Sequence, residues 1–304
     1  FAIRKSGNTQ NKQIIERKNK MTAITASAVK ELREITGVAM MDCKKALVET
    51  NGDLEAAQDF LRKKGKATAL KKSSRETFEG SVCFSASTDE KRAGLVKVAC
   101  ETDFVARNDK FQSFIKKLAN QIREQGTNDI LHQTLVEGQG NVEGLLSNTI
   151  AELGENMQIL ASRKMEIKHG TIGGYIHSNA KIGVAVPLET DQPCEDERLK
   201  TLARDIAMHI AAFRAEAVTA NQISEEVLEK EKEVFTAQAR ESGKPDNIIE
   251  KMIEGRLKKY LKEVCVESQP FVKDPQVSVS QLIENTAKEL GVKISFNSFE
   301  KFQF

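Results

Sequence analysis

The 304-residue sequence has no tryptophan, only two tyrosines, and no apolar run long enough to cross a membrane as a helix. Aromatic residues make up 5% of the chain, too few for the stacking platforms that hold single-stranded nucleic acid. The five cysteines (Cys43, Cys83, Cys100, Cys194 and Cys265) form no C-x-x-C pair. An odd number at wide spacing fits reduced thiols buried as small hydrophobes, not a disulfide framework. The four histidines, His132, His169, His177 and His209, lack metal-site spacing to any Cys, Asp or Glu. There is no secretory apolar segment, and a cytoplasmic protein is expected. The glycine-rich stretch GTIGGYIHSNAKIGV (170–184) fits neither the phosphate-loop nor the dinucleotide pattern, and glycines that bend edge strands explain it better. No nucleophile-and-base pair emerges. These absences point away from an enzyme, and no metal or cofactor is expected.

Charge is close to balanced, with 46 Lys and Arg against 44 Asp and Glu, but unevenly placed. Residues 1–20 hold six of the basic residues and one acid, Glu16, so the remainder carries a net charge of −3. The body of the protein therefore has no basic excess for a phosphate backbone. Residues 1–20 are polar and lack apolar periodicity. They are expected to be a disordered extension or an added segment ahead of Met21, a basic transit segment being the alternative.

The pattern of apolar residues predicts a mixed α+β protein in several parts. Residues 21–75 read as a three-helix module plus linker. Thr25 or Ser27 can cap a first helix carrying Val29, Leu32 and Ile35, closed by Gly37. Met40 to Thr50 form a second helix. Because two adjacent methionines cannot both face one core, at least one of Met40 and Met41 is expected to be exposed. Asp53 caps a third helix that Gly65 should stop, leaving Lys63 to Arg75 as an exposed linker or linker helix. An element order then repeats. Residues 79–123 run strand (81–87), turn, strand (95–100) and helix (110–123), and 171–214 run strand (174–177), turn, strand (182–188) and helix (197–213), with Gly94 and Gly183 opening each second strand. Residues 142–161 add a helix between the copies. Two related antiparallel-sheet and helix subdomains follow, 76–169 and 170–222. Residues 223–265 are dense in Glu and Lys, with Val227/Val234 and Leu228/Phe235 at heptad spacing and Gly243-Lys244-Pro245 at a turn. They predict a protruding antiparallel helical hairpin, either an ordinary surface feature or a dimerisation arm. Residues 266–304 close the chain with QPFV (269–272), a helix near 279–290 and a final strand, 292–296.

The most informative stretch is ETDFVARND (101–109), which follows the strand-like run 95–100. Thr102 and Asp103 both suit a helix N-cap. Phe104 then stands at a strand-to-helix corner, where it either packs into the core or projects.

Six segments carry a family resemblance: TGVAMMDCKKALVETNGDLEAAQDFLRKKG (36–65), ETDFVARND (101–109), GENM (154–157), IAMHIAA (206–212), SGKP (242–245) and QPFV (269–272). Together they closely resemble the elongation factor Ts family over residues 21–304. The resemblance implies a non-enzymatic guanine-nucleotide exchange factor for elongation factor Tu, with no nucleotide binding of its own and no nucleic-acid or membrane partner. A homodimer or a heterotetramer with the GTPase is a possible assembly. It further implies a ubiquitin-associated-like three-helix module, two core subdomains and a coiled-coil hairpin. By the same resemblance, Asp103 and Phe104 form a wedge that disturbs magnesium and phosphate contacts in the GTPase domain. Val29, Lys30, Leu32, Met40 and Met41 grip that domain, Leu153, Gly154, Val272 and Lys273 touch it, and His177 meets another domain of the partner. After IAMHIAA this chain has Phe213-Arg214-Ala215-Glu216 in place of the family's Pro-containing turn, which leaves contacts there open. The other readings are an adaptor that binds ubiquitin-like or RNA-bound partners through the helical module, and an RNA-binding translation accessory. A projecting residue at the TDFV corner separates an exchange factor from an adaptor, which needs no wedge.

Overall fold

The computed structural model describes residues 24–240 and 245–304; the expectations for residues 1–20 and for the Gly243-Lys244 turn lie outside the described residues. In chain order the helices and strands begin with α1 (Ala26–Thr36), α2 (Met40–Glu49), α3 (Leu54–Lys72), β1 (Glu79–Ala86), β2 (Arg92–Cys100), α4 (Asp103–Ala106), α5 (Asp109–Gln125), α6 (Val142–Leu153), β3 (Met157–Glu166), β4 (Gly170–Ile176) and β5 (Ile182–Thr190). They continue with α7 (Glu197–Ala212), α8 (Glu225–Arg240), α9 (Asp246–Val264), β6 (Pro270–Phe271), β7 (Asp274–Ser278), α10 (Val279–Leu290), β8 (Ile294–Ser295) and β9 (Glu300–Gln303). Two compact units result. Among the described residues, one holds 24–76 together with Gln139–Asn156, and the other holds Thr77–Gly138 together with Met157–Phe304.

The first unit is helical. Thr25 caps α1, its Oγ1 accepting from Ala28 N at 3.1 Å, and Gly37 ends the helix at φ 69°, a left-handed conformation suited to glycine. Asp53 caps α3 through Ala56 N. Val29, Leu32, Cys43, Ala46, Leu47, Ala57 and Leu61 form the shared core. Gly65 does not stop α3, which runs on through the charged stretch to Lys72. Here α3 packs beside α6: a Cβ on Gly65 would lie 2.9 Å from Asn148 Oδ1 and 3.7 Å from the Ser147 backbone. Lys66 pairs with Glu143 at 2.6 Å, and Lys72 Nζ donates to the Gly154 carbonyl at 2.6 Å.

The predicted helix over 142–161 is half correct. It ends at Leu153, with Gly154 left-handed at φ 79°, and Met157–Glu166 become a strand. Alternation at Met157, Ile159 and Ala161 is the two-residue period of a strand, which the longer helical reading overran.

The second unit holds two antiparallel sheets, β1-β2-β3 and β4-β5 with β8 and β9 sharing the far edge of β5. The single final strand expected over 292–296 is thus two short strands. The sheets stack face to face through Val82, Leu95 and Ala185, with Phe84, Met165, Ile176, Phe302 and Phe304 around them. Helix α5 covers the outer face of the first sheet and α7 that of the second. The two halves are not packed alike. Helix α5 comes closest at Gly94 of β2, where a Cβ would meet the Ala119 carbonyl and lie 2.7 Å from Arg123 N. Helix α7 comes closest at Gly173 of β4, while Gly183, the apparent counterpart of Gly94, faces Val82 of the other sheet.

The hairpin of α8 and α9 packs Leu228 and Phe235 with Tyr260, Leu261 and Val264, and Ala239 with Ile249, Ile253 and Leu257. Of the two heptad pairs, only Leu228/Phe235 forms the seam; Val227 and Val234 face outward. Among the described residues no helix is long and apolar enough to cross a membrane.

These packing differences separate two glycines. Gly94→Ala must push α5 off β2 and is expected to lower unfolding free energy by about 1–3 kcal/mol. Gly255→Ala, mid-helix in α9 with open space around it, is expected to raise it by about 0.4–1 kcal/mol. Denaturant unfolding of both variants checks the pair, and equal effects would contradict the packing described.

Candidate functional site

The chain leaves β2 through a short corner. Thr102 Oγ1 accepts from Val105 N at 3.3 Å and so caps α4, a single turn. Capping thus falls to Thr102 and not to Asp103, which occupies the first helical position and pairs with Arg107 at 3.2 Å on the surface. Val105 and Ala106 turn inward. Phe104 turns outward and is 83% exposed, the most exposed large hydrophobic side chain among the described residues. The corner is held from below: Gln112 Nε2 donates to the Ala106 carbonyl at 2.6 Å, and Asn108 caps α5. A phenyl ring in water forgoes the hydrophobic stabilisation that burial supplies, on the order of 2 kcal/mol, yet the corner beneath it is rigidly built.

The same end of the unit collects other predicted residues. Glu79, the first residue of β1, pairs in register with Cys100. Val82 N donates to Ala180 O at 2.7 Å, and Lys181 pairs with Glu79, which brings in the β4-β5 turn. His177 opens that turn, exposed, with its Nδ1 3.1 Å from the Tyr175 hydroxyl. Phe78, unremarked in the sequence, sits directly ahead of β1 and is 75% exposed. An apolar residue at a strand start reads as core; only the register with Cys100 places it beside the TDFV corner.

Val272 and Lys273 form the β6-β7 turn against α7. Val272 is partly exposed, and Lys273 pairs with Asp205 at 2.6 Å. In the helical unit, Met40 and Met41 are both exposed at the start of α2, and Lys30 points to solvent beside Glu34 at 3.7 Å. Leu153 is half-buried and Gly154 exposed at the end of α6. Two of the expected grip residues are corrected. Leu32 is fully buried and Val29 nearly so, both inside the three-helix core, so neither offers its side chain to a partner. Their spacing on the inner face of α1 gives them that core role.

Nothing here assembles a reactive centre. No three His, Cys, Asp or Glu side chains among the described residues could hold a metal ion. Burial pushes the Cys83 thiol up to about 11, which leaves it poorly nucleophilic.

Comparison with known proteins gives the setting. The family described as elongation factor TS matches residues 101–304. An elongation factor Ts of Trichlorobacter lovleyi is 43% identical over 286 residues, 92% of each chain. Those of Clostridium novyi and Magnetococcus marinus are 44% and 45% identical over the same share of each. The chain belongs to the elongation factor Ts family. Elongation factor Ts is a translation factor and not an enzyme.

Thermal melts separate the roles of these side chains. Leu32→Ala is expected to cost about 2–5 kcal/mol as a core truncation. Phe104→Ala, Met40→Ala and Met41→Ala are expected to leave the melting temperature nearly unchanged, since each removes an exposed side chain. A large drop for Phe104→Ala would place that ring in a packed environment.

Proposed function

We propose that this chain binds elongation factor Tu and promotes replacement of its GDP by GTP, with Phe104 as the wedge that enters the GTPase domain. The observation that carries this reading is a phenylalanine left 83% exposed on a tightly bonded corner, in a chain more than 40% identical to elongation factor Ts along nearly its whole length.

The physical task requires no bond chemistry. A nucleotide held at nanomolar affinity represents about −12 kcal/mol of binding. A protein that binds the empty GTPase better than the loaded one must, by linkage, weaken nucleotide affinity by the same factor. What it needs is an anchor that is exposed when free and buried in the complex, because burial then contributes to one state only. Phe104 meets that requirement. Its burial on the partner disturbs the magnesium and phosphate contacts, and Asp103 adds a carboxylate at the same corner. Phe78 extends the apolar patch toward the same partner, His177 contacts a second domain, and Met40, Met41 and Lys30 supply an adaptable grip. The Val272–Lys273 turn and Leu153–Gly154 complete the contact set. The hairpin stands outside this set and serves self-association or accessory complexes, such as a homodimer or a heterotetramer with the GTPase. The adaptor reading gives Phe104 no task and is not favoured.

Release of labelled GDP from elongation factor Tu tests the proposal. The chain is expected to accelerate release and to show no GTP hydrolysis alone. Phe104→Ala should lose on the order of 2 kcal/mol of coupling, about 30-fold in rate, and Phe78→Ala a smaller share. A chain in which a short turn replaces residues 236–256 should exchange at near the full rate. Unaltered release in the presence of the wild-type chain would refute the function, and full activity in Phe104→Ala would refute the wedge.

A further inference from the structure

His209 lies in the last turn of α7 and is fully buried, with Phe213 stacked on it at 4.7 Å and Phe271 at 6.0 Å. Both ring nitrogens are engaged. The backbone N–H of Val272 donates to Nδ1 at 3.2 Å, and Nε2 lies 2.8 Å from Oε1 of Gln269. A backbone N–H can only donate, so Nδ1 is the bare nitrogen and Nε2 carries the proton. Gln269 is fixed in turn. Its Nε2 donates to the carbonyls of Arg214 at 2.7 Å and Glu263 at 2.5 Å, which leaves Oε1 for the ring. One helical turn earlier on the same face, Asp205 takes the Lys273 ammonium. Helix α7 therefore holds the 272–273 turn twice, by main chain through His209 and by side chain through Asp205.

We propose that His209 is the positioning residue that fixes the Val272–Lys273 turn for the partner, and that it does so only as the neutral Nε2–H tautomer. This rests on the reading of that turn as a contact with elongation factor Tu. A protonated ring would set a second N–H against the Val272 N–H, donor against donor, inside an apolar pocket. The charged groups of the surrounding elements are directed elsewhere. Arg214 and the Tyr260 hydroxyl engage Glu216, Lys273 engages Asp205, Lys259 engages Glu263, and Lys301 donates to the Ile210 and Phe213 carbonyls; the Glu267 carboxyl has Glu284 as its charged neighbour. Burial lowers the affinity of His209 for a proton, against a smaller opposite effect of the Gln269 bond. The folded-state value thus lies below the ordinary one of about 6.5. The stability tied to the neutral ring is fully present above that pH and is lost as pH falls below it.

Two substitutions divide the ring's functions. His209→Asn leaves an amide oxygen where Nδ1 accepts from Val272 and gives up the link to Gln269. His209→Gln keeps the reach to Gln269 and removes the acceptor. With the full chain at pH 7.5, His209→Gln is expected to slow GDP release by at least about tenfold relative to His209→Asn, the effect of one orphaned donor. Equal rates for the two would reduce His209 to core filling and overturn the proposal. If neither variant folds, nitrogen NMR of the wild-type ring decides: a neutral Nε2–H tautomer persisting below pH 6.5 supports the proposal, and an Nδ1–H or charged ring at pH 7 overturns it. Phe104→Ala and Val272→Ala in the same assay keep the two readings apart. A wild-type chain that leaves GDP release unaltered removes the proposed function, whereas an impaired Phe104→Ala beside an unimpaired Val272→Ala removes only the role of the turn.

Discussion

Everything in the second unit depends on two sheets meeting face to face across glycine. Gly174 and Gly183 lie where a Cβ would run into Phe84 and Val82 of the opposing sheet, so the sheets approach to the depth of those side chains. With both inner faces occupied, the covering helices have only the outer faces, where α5 and α7 lie. What remains uncovered is the rim, where strands end and turns begin. Phe78, the TDFV corner and the His177 turn share one stretch of that rim because β1 is in register with β2 and tied to the β4-β5 turn. The sandwich is thus both the stability core and the reason that these exposed side chains stand at strand ends.

An exchange factor places unusual demands on its surface. Apolar side chains that would stabilise the free protein if buried must stay in water until the partner arrives, and the scaffold must hold them without collapsing over them. At the TDFV corner, short-range polar bonding holds Phe104 in solvent. Thr102 caps the turn, Gln112 ties its last carbonyl, and the buried neighbours Val105 and Ala106 fix its orientation. The helical unit uses another device. Ala39 makes no side-chain cap bond at the start of α2, and the two methionines there have flexible, polarizable side chains suited to an irregular surface.

Much of this was legible in the sequence where local chemistry and tertiary packing agree. The caps at Thr25 and Asp53, the stop at Gly37 and the amphipathic faces of α5 and α7 all form where the pattern puts them. The readings that failed are those in which distant contacts override a local signal. Gly65 punctuates a helix on paper, but α6 packs against it. Gly94 and Gly183 look equivalent, but one faces a helix and the other a sheet. The resemblance implies that Leu32 and Val29 grip a partner, although their helical spacing already puts them inside. Phe78 gave no sign of exposure, because whether a residue ahead of a strand is buried depends on what covers the rim.

At His209 a polar constraint reaches into the interior of the second unit. The sequence displays it only as one letter of IAMHIAA on an apolar helix face, where a histidine is a packed core residue. Both ring nitrogens satisfy main chain or a fixed amide, so the ring is an adaptor between the α7 helix, the hairpin exit and the β6-β7 turn. An apolar residue of equal volume would fill the space and leave the Val272 N–H and the Gln269 Oε1 unpaired in the interior, at a cost of about 1–3 kcal/mol each. A lysine or arginine would bring a charge that no neighbouring carboxylate is free to meet. Histidine, uncharged and with one donor and one acceptor set on a rigid ring, meets both demands at that point of the fold. The constraint that keeps it there is the same one that makes it sensitive to protonation.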